Sequence, residues 1–154
     1  SGSISVFGRT VGVDCSFPPD MGIVMSAALW DEYTAVENLE LIASIRGVIS
    51  RKGIERALRR VGLDPNDRRI YKQFSLGMKQ RLELAQAIME GPSLLLLDEP
   101  SNALDSHGLE LLCCIIREEH ERGATVLLAA HNTPELTELS SRQFEMYEGK
   151  LTEK

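Results

Sequence analysis

Two acidic residues follow directly on a run of leucines near the middle of the chain. Residues 94–97 are all leucine, and Asp98, Glu99 and Pro100 come next. A short run that is apolar on both faces is typical of a strand buried in a parallel sheet, and ligand sites in such sheets lie at the carboxyl ends of strands. There the first carboxylate can hold Mg²⁺ against nucleotide phosphates, and the second can orient a water for attack on the terminal phosphate. The same pattern also fits a strand that ends in a solvated acidic turn.

A second segment has the residue types of an anion site. Residues 75–80 read Ser-Leu-Gly-Met-Lys-Gln and open a helical pattern. Backbone N–H groups at a helix start, a serine hydroxyl and a glycine that permits close approach together favour a bound anion. Taken alone, the segment is more typical of an ordinary helix with Ser75 as its N-cap.

Capping signals and hydrophobic periodicity predict the elements that must position these residues. Thr34 and Glu37 form a capping box ahead of an apolar stripe, which predicts a helix that ends at Gly47. The remaining predicted strands lie over 3–8, 22–24, 94–97 and 125–130, with a hairpin over 144–151. The remaining predicted helices are capped at Ser50, Ser75 and Thr133-Pro134, and one more runs from about Ser106 to Arg122. Residues 8–20 read as a loop, and the strand over 125–130 is expected to be buried on both faces. Strands separated by helices predict a parallel α/β sheet.

Length and composition bound the class of protein. The chain has 154 residues, 43% of them hydrophobic, which predicts one domain. A net charge of −6 argues against a nucleic-acid-binding face. No apolar stretch approaches the length that spans a bilayer, so we expect no direct membrane insertion. The cysteines (Cys15, Cys113 and Cys114) lack metal-ligand spacing and predict a reduced, cytoplasmic protein.

Four motifs in order make the chain resemble the ATP-binding domain of ABC transporters. Residues 75–80 resemble the signature motif, 94–99 the Walker B motif and 101–105 the D-loop, and His131 resembles the switch histidine. The likeness extends over nearly all of the chain at the spacing of the family, so chance agreement is negligible.

The resemblance implies a fold and a division of the chain. The fold would be α/β, the parallel sheet of the P-loop NTPase-like ABC ATPases with a helical subdomain inserted. Residues 1–33 and 91–154 would form the core, and residues 34–90 the helical subdomain that carries the signature motif.

The resemblance also implies roles for individual residues. Asp98 would serve Mg²⁺, Glu99 would be the general base or orient the water, and His131 would contact the γ-phosphate of ATP. Asp105 would couple two facing domains. The residues expected to contact the nucleotide held by the opposite protomer of a dimer are Ser75, Leu76, Gly77 and Gln80.

Two departures from the family pattern limit these implications. No G-x-x-x-x-G-K-[ST] motif occurs in the sequence, so we expect a domain incomplete at its N-terminus, without the loop that grips the β- and γ-phosphates. Loss of the associated strand would leave unpaired sheet edges, which predicts self-association or marginal stability. Met25 or Ser26 stands where the family commonly has the Q-loop glutamine, which puts Mg²⁺ ligation at that loop in doubt.

The expected function is the nucleotide-binding subunit of an ABC transporter, which couples ATP binding and hydrolysis to transport. Its partners would be a transmembrane subunit and a second ATPase domain, in a homo- or heterodimer at the cytoplasmic membrane face. This chain alone is expected not to hydrolyse ATP. One alternative is a non-catalytic module that lends its signature face to a complete partner. Another is a soluble ABC ATPase of the DNA-repair or translation kind, which the lack of a long heptad run and of a tandem second half disfavours.

Overall fold

A computed structural model describes residues 2–18, 20–25, 29–131 and 133–154. The strands are β1 (Ser5–Val6), β2 (Arg9–Thr10), β3 (Met21–Val24), β4 (Leu94–Asp98), β5 (Thr125–Ala129), β6 (Phe144–Tyr147) and β7 (Lys150–Glu153). The helices are α1 (Ala35–Arg46), α2 (Arg51–Arg60), α3 (Leu76–Ile88), α4 (Ser106–Glu121) and α5 (Pro134–Leu139), and a short 3-10 helix (Tyr71–Gln73) precedes α3.

The centre of the fold is a parallel sheet with the strand order β3-β4-β5. The central strand β4 is covered on both faces, and the side chains of Leu95 and Leu97 are almost fully buried. Helices lie in both connections between the strands, as parallel neighbours require. The predicted parallel α/β sheet is therefore confirmed.

The prediction that residues 125–130 are buried on both faces is wrong. Only one side of β5 packs on the core, through the half-buried Val126 and Leu128. Thr125, Leu127 and Ala129 point the other way and are exposed, Leu127 by 62%. No layer formed by the described residues covers that face of the strand.

The strand predicted over residues 3–8 is shorter and lies outside the parallel sheet. β1 pairs antiparallel with β2, and β2 lies inside residues 8–20, which were expected to be a loop. Phe7 and Gly8 connect them with φ angles of 48° and 77°. Two consecutive positive φ angles are typical of a tight hairpin turn, so this local turn closes a separate two-stranded ribbon.

The described part of the chain between β3 and β4 is mainly helical from Ala35 to Ile88, as its capping signals predicted. The Thr34 N–H donates to Glu37 Oε2 at 2.8 Å and the Glu37 N–H donates to Thr34 Oγ1 at 3.3 Å, which confirms the capping box. The predicted Ser50 cap makes no side-chain hydrogen bond to α2. Helix α3 packs closely on β3, because a Cβ at Gly22 would lie 2.1 Å from the carbonyl oxygen of Ala87.

A buried carboxylate joins α2 to α4. Glu119 is 1% exposed, and its Oε1 lies 2.9 Å from Nη2 of Arg60 on α2. Its Oε2 lies 2.7 Å from Nη2 of Arg122, whose guanidinium also donates to the carbonyl of Pro92, just before β4. This Arg60–Glu119–Arg122 cluster ties the helical segment to the sheet.

The last strands form the predicted terminal hairpin. β6 and β7 pair antiparallel, and every residue of both strands is exposed. In the described ranges, no helix is long and apolar enough to cross a membrane.

Candidate functional site

Asp98 and Glu99 lie at the carboxyl end of β4, at the edge of the sheet that the sequence predicted. Asp98 is the last residue of the strand and pairs in register with Ala129 of β5. Glu99 turns the chain sharply, with φ at 48°, while its N–H still donates to the Ala129 carbonyl at 2.8 Å. Backbone pairing with β5 therefore fixes the Cα positions of both acidic residues.

His131 follows β5 and contacts Glu99. Its Nε2 lies 3.2 Å from Glu99 Oε1, and the imidazole is 96% exposed while the Glu99 side chain is 29% exposed. The two residues meet because neighbouring parallel strands end at the same edge of the sheet. Glu99 and His131 therefore meet on the open side of this edge.

The turn between β4 and α4 is held at both ends. Asn102 N–H donates to the Glu99 carbonyl at 3.1 Å, and Ala103 has a φ of 62°. At the far end, Asp105 Oδ1 accepts from Gly108 N–H at 2.8 Å and caps α4. Asp105 thus has a structural role beside the one that the resemblance implies, and an aspartate just before a helix was the signal for it.

The 75–80 segment begins helix α3 with its serine as the cap. Ser75 Oγ accepts from the Met78 N–H at 3.3 Å, so the predicted N-cap is confirmed. Leu76 is 68% exposed. The first N–H groups of α3 and the exposed residues beside them can therefore meet a ligand from outside.

The structure brings the 75–80 segment beside the turn that follows β4. A Cβ at Gly77 would lie 3.0 Å from the carbonyl oxygen of Ala103. Within the described parts of the chain, no hydrogen bond or ion pair joins Ser75 or Gln80 to Asp98 or Glu99. Backbone proximity is what connects the two motifs.

Lys79 has a contact that sequence reasoning missed. Its ammonium nitrogen lies 4.5 Å from the centroid of the Tyr71 ring, and burial raises the pKa of the Tyr71 hydroxyl. Tyr71 belongs to the 3-10 helix before α3, an element that the sequence did not predict. The contact holds a cation near the start of α3.

The residues in place of the Q-loop glutamine are only partly described. Met25 is exposed at the end of β3. Ser26 lies outside the described residues. Met25 offers no oxygen ligand, so its side chain does not fit Mg²⁺.

The acids at the sheet edge do not form a closed metal site. In the part of the chain that the structure describes, no group of three or more histidine, cysteine, aspartate or glutamate side chains could hold a metal. A single carboxylate such as that of Asp98 is enough for a cation whose other ligands are waters and phosphate oxygens. Mg²⁺ beside nucleotides binds in this way.

Comparison with known proteins gives the family. The family described as "ABC transporter" matches residues 1–102. The chain is 38% identical over 151 residues to the uncharacterized ABC transporter ATP-binding protein YybJ of Bacillus subtilis (strain 168), covering 97% of this chain and 69% of that protein. It is 39% identical over 132 residues to the bacitracin transport ATP-binding protein BcrA of Enterococcus faecalis, covering 85% of this chain and 43% of the relative.

Solved structures share the fold. A bacterial ABC transporter cassette, MJ0796, in a dimeric structure, has a TM-score of 0.76 and 27% identity, covering 87% of this chain and 62% of the cassette. A second structure of MJ0796 has a TM-score of 0.83, covering 99% of this chain and 73% of that one. Its sequence is 24% identical, so this similarity shows the fold alone. The family matches residues 1–102, and YybJ is 38% identical to this chain over 97% of the chain's length. The chain therefore belongs to the ABC transporter family of ATP-binding proteins.

Proposed function

We propose that the chain is part of the nucleotide-binding subunit of an ABC transporter, which couples ATP binding and hydrolysis to transport by a transmembrane partner. The observation that carries this proposal is the meeting of Asp98, Glu99 and His131 at the carboxyl edge of β4 and β5. This edge is where parallel sheets bind ligands.

Each residue has a role suited to its position. Asp98 would hold Mg²⁺, directly or through water, and Mg²⁺ would neutralise charge on the phosphates of ATP. Glu99 would accept a hydrogen bond from the attacking water, and His131, 3.2 Å from Glu99, would lie beside the γ-phosphate. The chain turns sharply at Glu99 and its side chain is 29% exposed, so a water can reach the carboxylate.

The start of α3 would serve a second protomer. Ser75, Leu76, Gly77 and Gln80 would contact the nucleotide held by the opposite domain of a homo- or heterodimer, because free N–H groups at a helix start favour phosphate. Asp105 would couple the two domains. In this arrangement residues 34–90 act as the helical subdomain, and residues 1–33 and 91–154 act as the core.

The transmembrane partner would dock on α1. Leu41 and Ile45 are four residues apart on one face of α1, Val48 follows its end, and all are exposed, Ile45 by 80%. The exposed rings of Trp30 and Tyr33 lie 6.4 Å apart just before the helix. An apolar surface of this kind is typical of a protein interface, and the partner would hold the chain at the cytoplasmic face of the membrane.

This chain alone would not hydrolyse ATP. Its 154 residues contain no G-x-x-x-x-G-K-[ST] motif. Without the backbone cradle and the lysine of that loop, the β- and γ-phosphates lose their main protein ligands.

A chimera tests this function. An N-terminal segment that carries a G-x-x-x-x-G-K-[ST] loop, taken from an ABC ATPase and joined ahead of residue 1, should confer MgATP hydrolysis on the chain. Glu99→Gln in the chimera should lower kcat by about 10²- to 10⁴-fold while nucleotide binding persists. Glu110→Gln, an exposed glutamate on α4, is the matched control and should leave kcat unchanged. Hydrolysis that is insensitive to Glu99→Gln would contradict the assigned role.

A second candidate function is a non-catalytic module that presents the 75–80 segment to a complete ATPase domain. The exposure of Leu76 and the lack of a phosphate loop favour it. Adding the chain to an intact ABC ATPase domain distinguishes the candidates, because a module should stimulate or block hydrolysis in trans. That effect should disappear on Ser75→Arg.

A further inference from the structure

Gly77 lies against the backbone of a different segment of its own chain. The carbonyl oxygen of Ala103 would be 3.0 Å from a Cβ at residue 77. This distance is shorter than ordinary van der Waals contact, so any side chain at residue 77 pushes on that carbonyl. The neighbour is backbone rather than the end of a side chain, and a rotamer change cannot relieve the contact.

The turn that carries Ala103 has little freedom to yield. Residues 99–105 are held at one end by the Glu99 N–H, which donates to the Ala129 carbonyl at 2.8 Å. At the other end Asp105 caps α4 at 2.8 Å. Between them Ala103 has a φ of 62°, a conformation that is unfavourable for a residue with a side chain, and its carbonyl oxygen lies beside Gly77 of α3. A push on Ala103 is therefore passed along the turn toward Glu99.

We propose that Gly77 is a positioning residue for the turn that carries Glu99. Its missing side chain lets the start of α3 support the Ala103 carbonyl, which holds residues 99–105 in place. The 75–80 segment and the Glu99–His131 pair are thereby mechanically connected within one chain, through backbone contact. This role needs no nucleotide and does not rest on the proposed function. If that function holds, a phosphate that displaces the start of α3 also moves Glu99 of the same chain.

The test measures the change in Tm caused by Gly77→Ala in the native chain and in the Ala103→Gly variant, without nucleotide. Helix propensity alone would make Gly77→Ala stabilising, raising Tm by about 2–4 °C in a domain of this size. The contact with Ala103 predicts no gain or a loss of Tm instead. In the Ala103→Gly background the turn can yield, because glycine adopts a positive φ freely, and Gly77→Ala should then raise Tm.

A local readout separates positioning from a general effect on stability. Amide NMR signals of Glu99, Asn102 and Leu104 should shift in Gly77→Ala. They should stay in place in Leu76→Ala, the matched control at a neighbouring residue that is 68% exposed. Equal Tm gains from Gly77→Ala in both backgrounds, or unmoved amide signals of the 99–105 turn, would overturn the proposal.

Discussion

Single residues in this chain often serve both the fold and the candidate site, and Asp105 is the clearest case. It caps α4 through Gly108 and is also the residue that would couple two domains. Asp105→Ala should lower the free energy of unfolding by about 1 kcal/mol, because the helix loses its cap. Asp105→Asn retains a capping oxygen and should cost far less. Urea unfolding of both variants checks this, and equal losses would show that the charge, rather than the cap, stabilises α4.

Glu37 gives a prediction about pH. Its hydrogen bonds with the Thr34 backbone and side chain lower the pKa of the Glu37 carboxyl below its ordinary value of 4.5. A carboxyl whose pKa is lower in the folded state stabilises the fold above its unfolded pKa, and this contribution is lost as the pH falls through the folded value. Stability of the native chain should therefore fall faster than that of Glu37→Gln as the pH falls below 4.5. Parallel curves in urea unfolding over that range would contradict the assignment.

The residues of the candidate site were predictable to different degrees. Asp98, Glu99 and His131 could be placed at one edge because the ends of parallel strands meet, whatever the details of packing. The contact between Gly77 and Ala103 could not, because it depends on how α3 lies over a turn of unusual backbone conformation. No spacing along the sequence encodes that distance.

At the scale of elements, the Arg60–Glu119–Arg122 cluster links α2 to α4 and to the chain just before β4. Glu119→Ala should lower the free energy of unfolding by about 2 kcal/mol, because two arginines lose their shared acceptor. The cost stays below that of a fully buried pair because Arg60 and Arg122 remain partly exposed. Glu118→Ala is the matched control. Native Glu118 also contacts Arg60, with 2.7 Å between Oε2 and Nη2, but its side chain is exposed. Its loss should therefore lower the free energy of unfolding by less than about 1 kcal/mol.

Helix boundaries were predictable where the signal is local. The Thr34–Glu37 capping box, Ser75 before α3 and proline at the start of α5 each act within a few residues. The exposure of one face of β5 was not predictable, because an apolar strand reads the same whether or not a second layer covers it. The Arg60–Glu119 contact joins residues far apart in sequence and gives no periodic signal.

At the scale of the whole molecule, exposed apolar surface predicts self-association. Leu127 on the open face of β5 is exposed, as are Phe144, Met146 and Tyr147 on β6. Sedimentation should show concentration-dependent association of the chain, and Leu127→Glu should weaken it. Val13→Glu, which adds the same charge at an exposed apolar residue on another surface, should not. A monomer at all concentrations would show that these faces do not attract one another.

The central proposal is that the chain carries the acids and the histidine of an ABC ATPase but does not bind MgATP tightly on its own. Titration of the chain with MgATP in a calorimeter tests this most directly, with Asp98→Asn as the control. We expect no saturable binding up to about millimolar nucleotide, since these 154 residues contain no G-x-x-x-x-G-K-[ST] motif to bind the β- and γ-phosphates. Tight binding that Asp98→Asn abolishes would contradict it, because another segment of these 154 residues would then replace the phosphate loop.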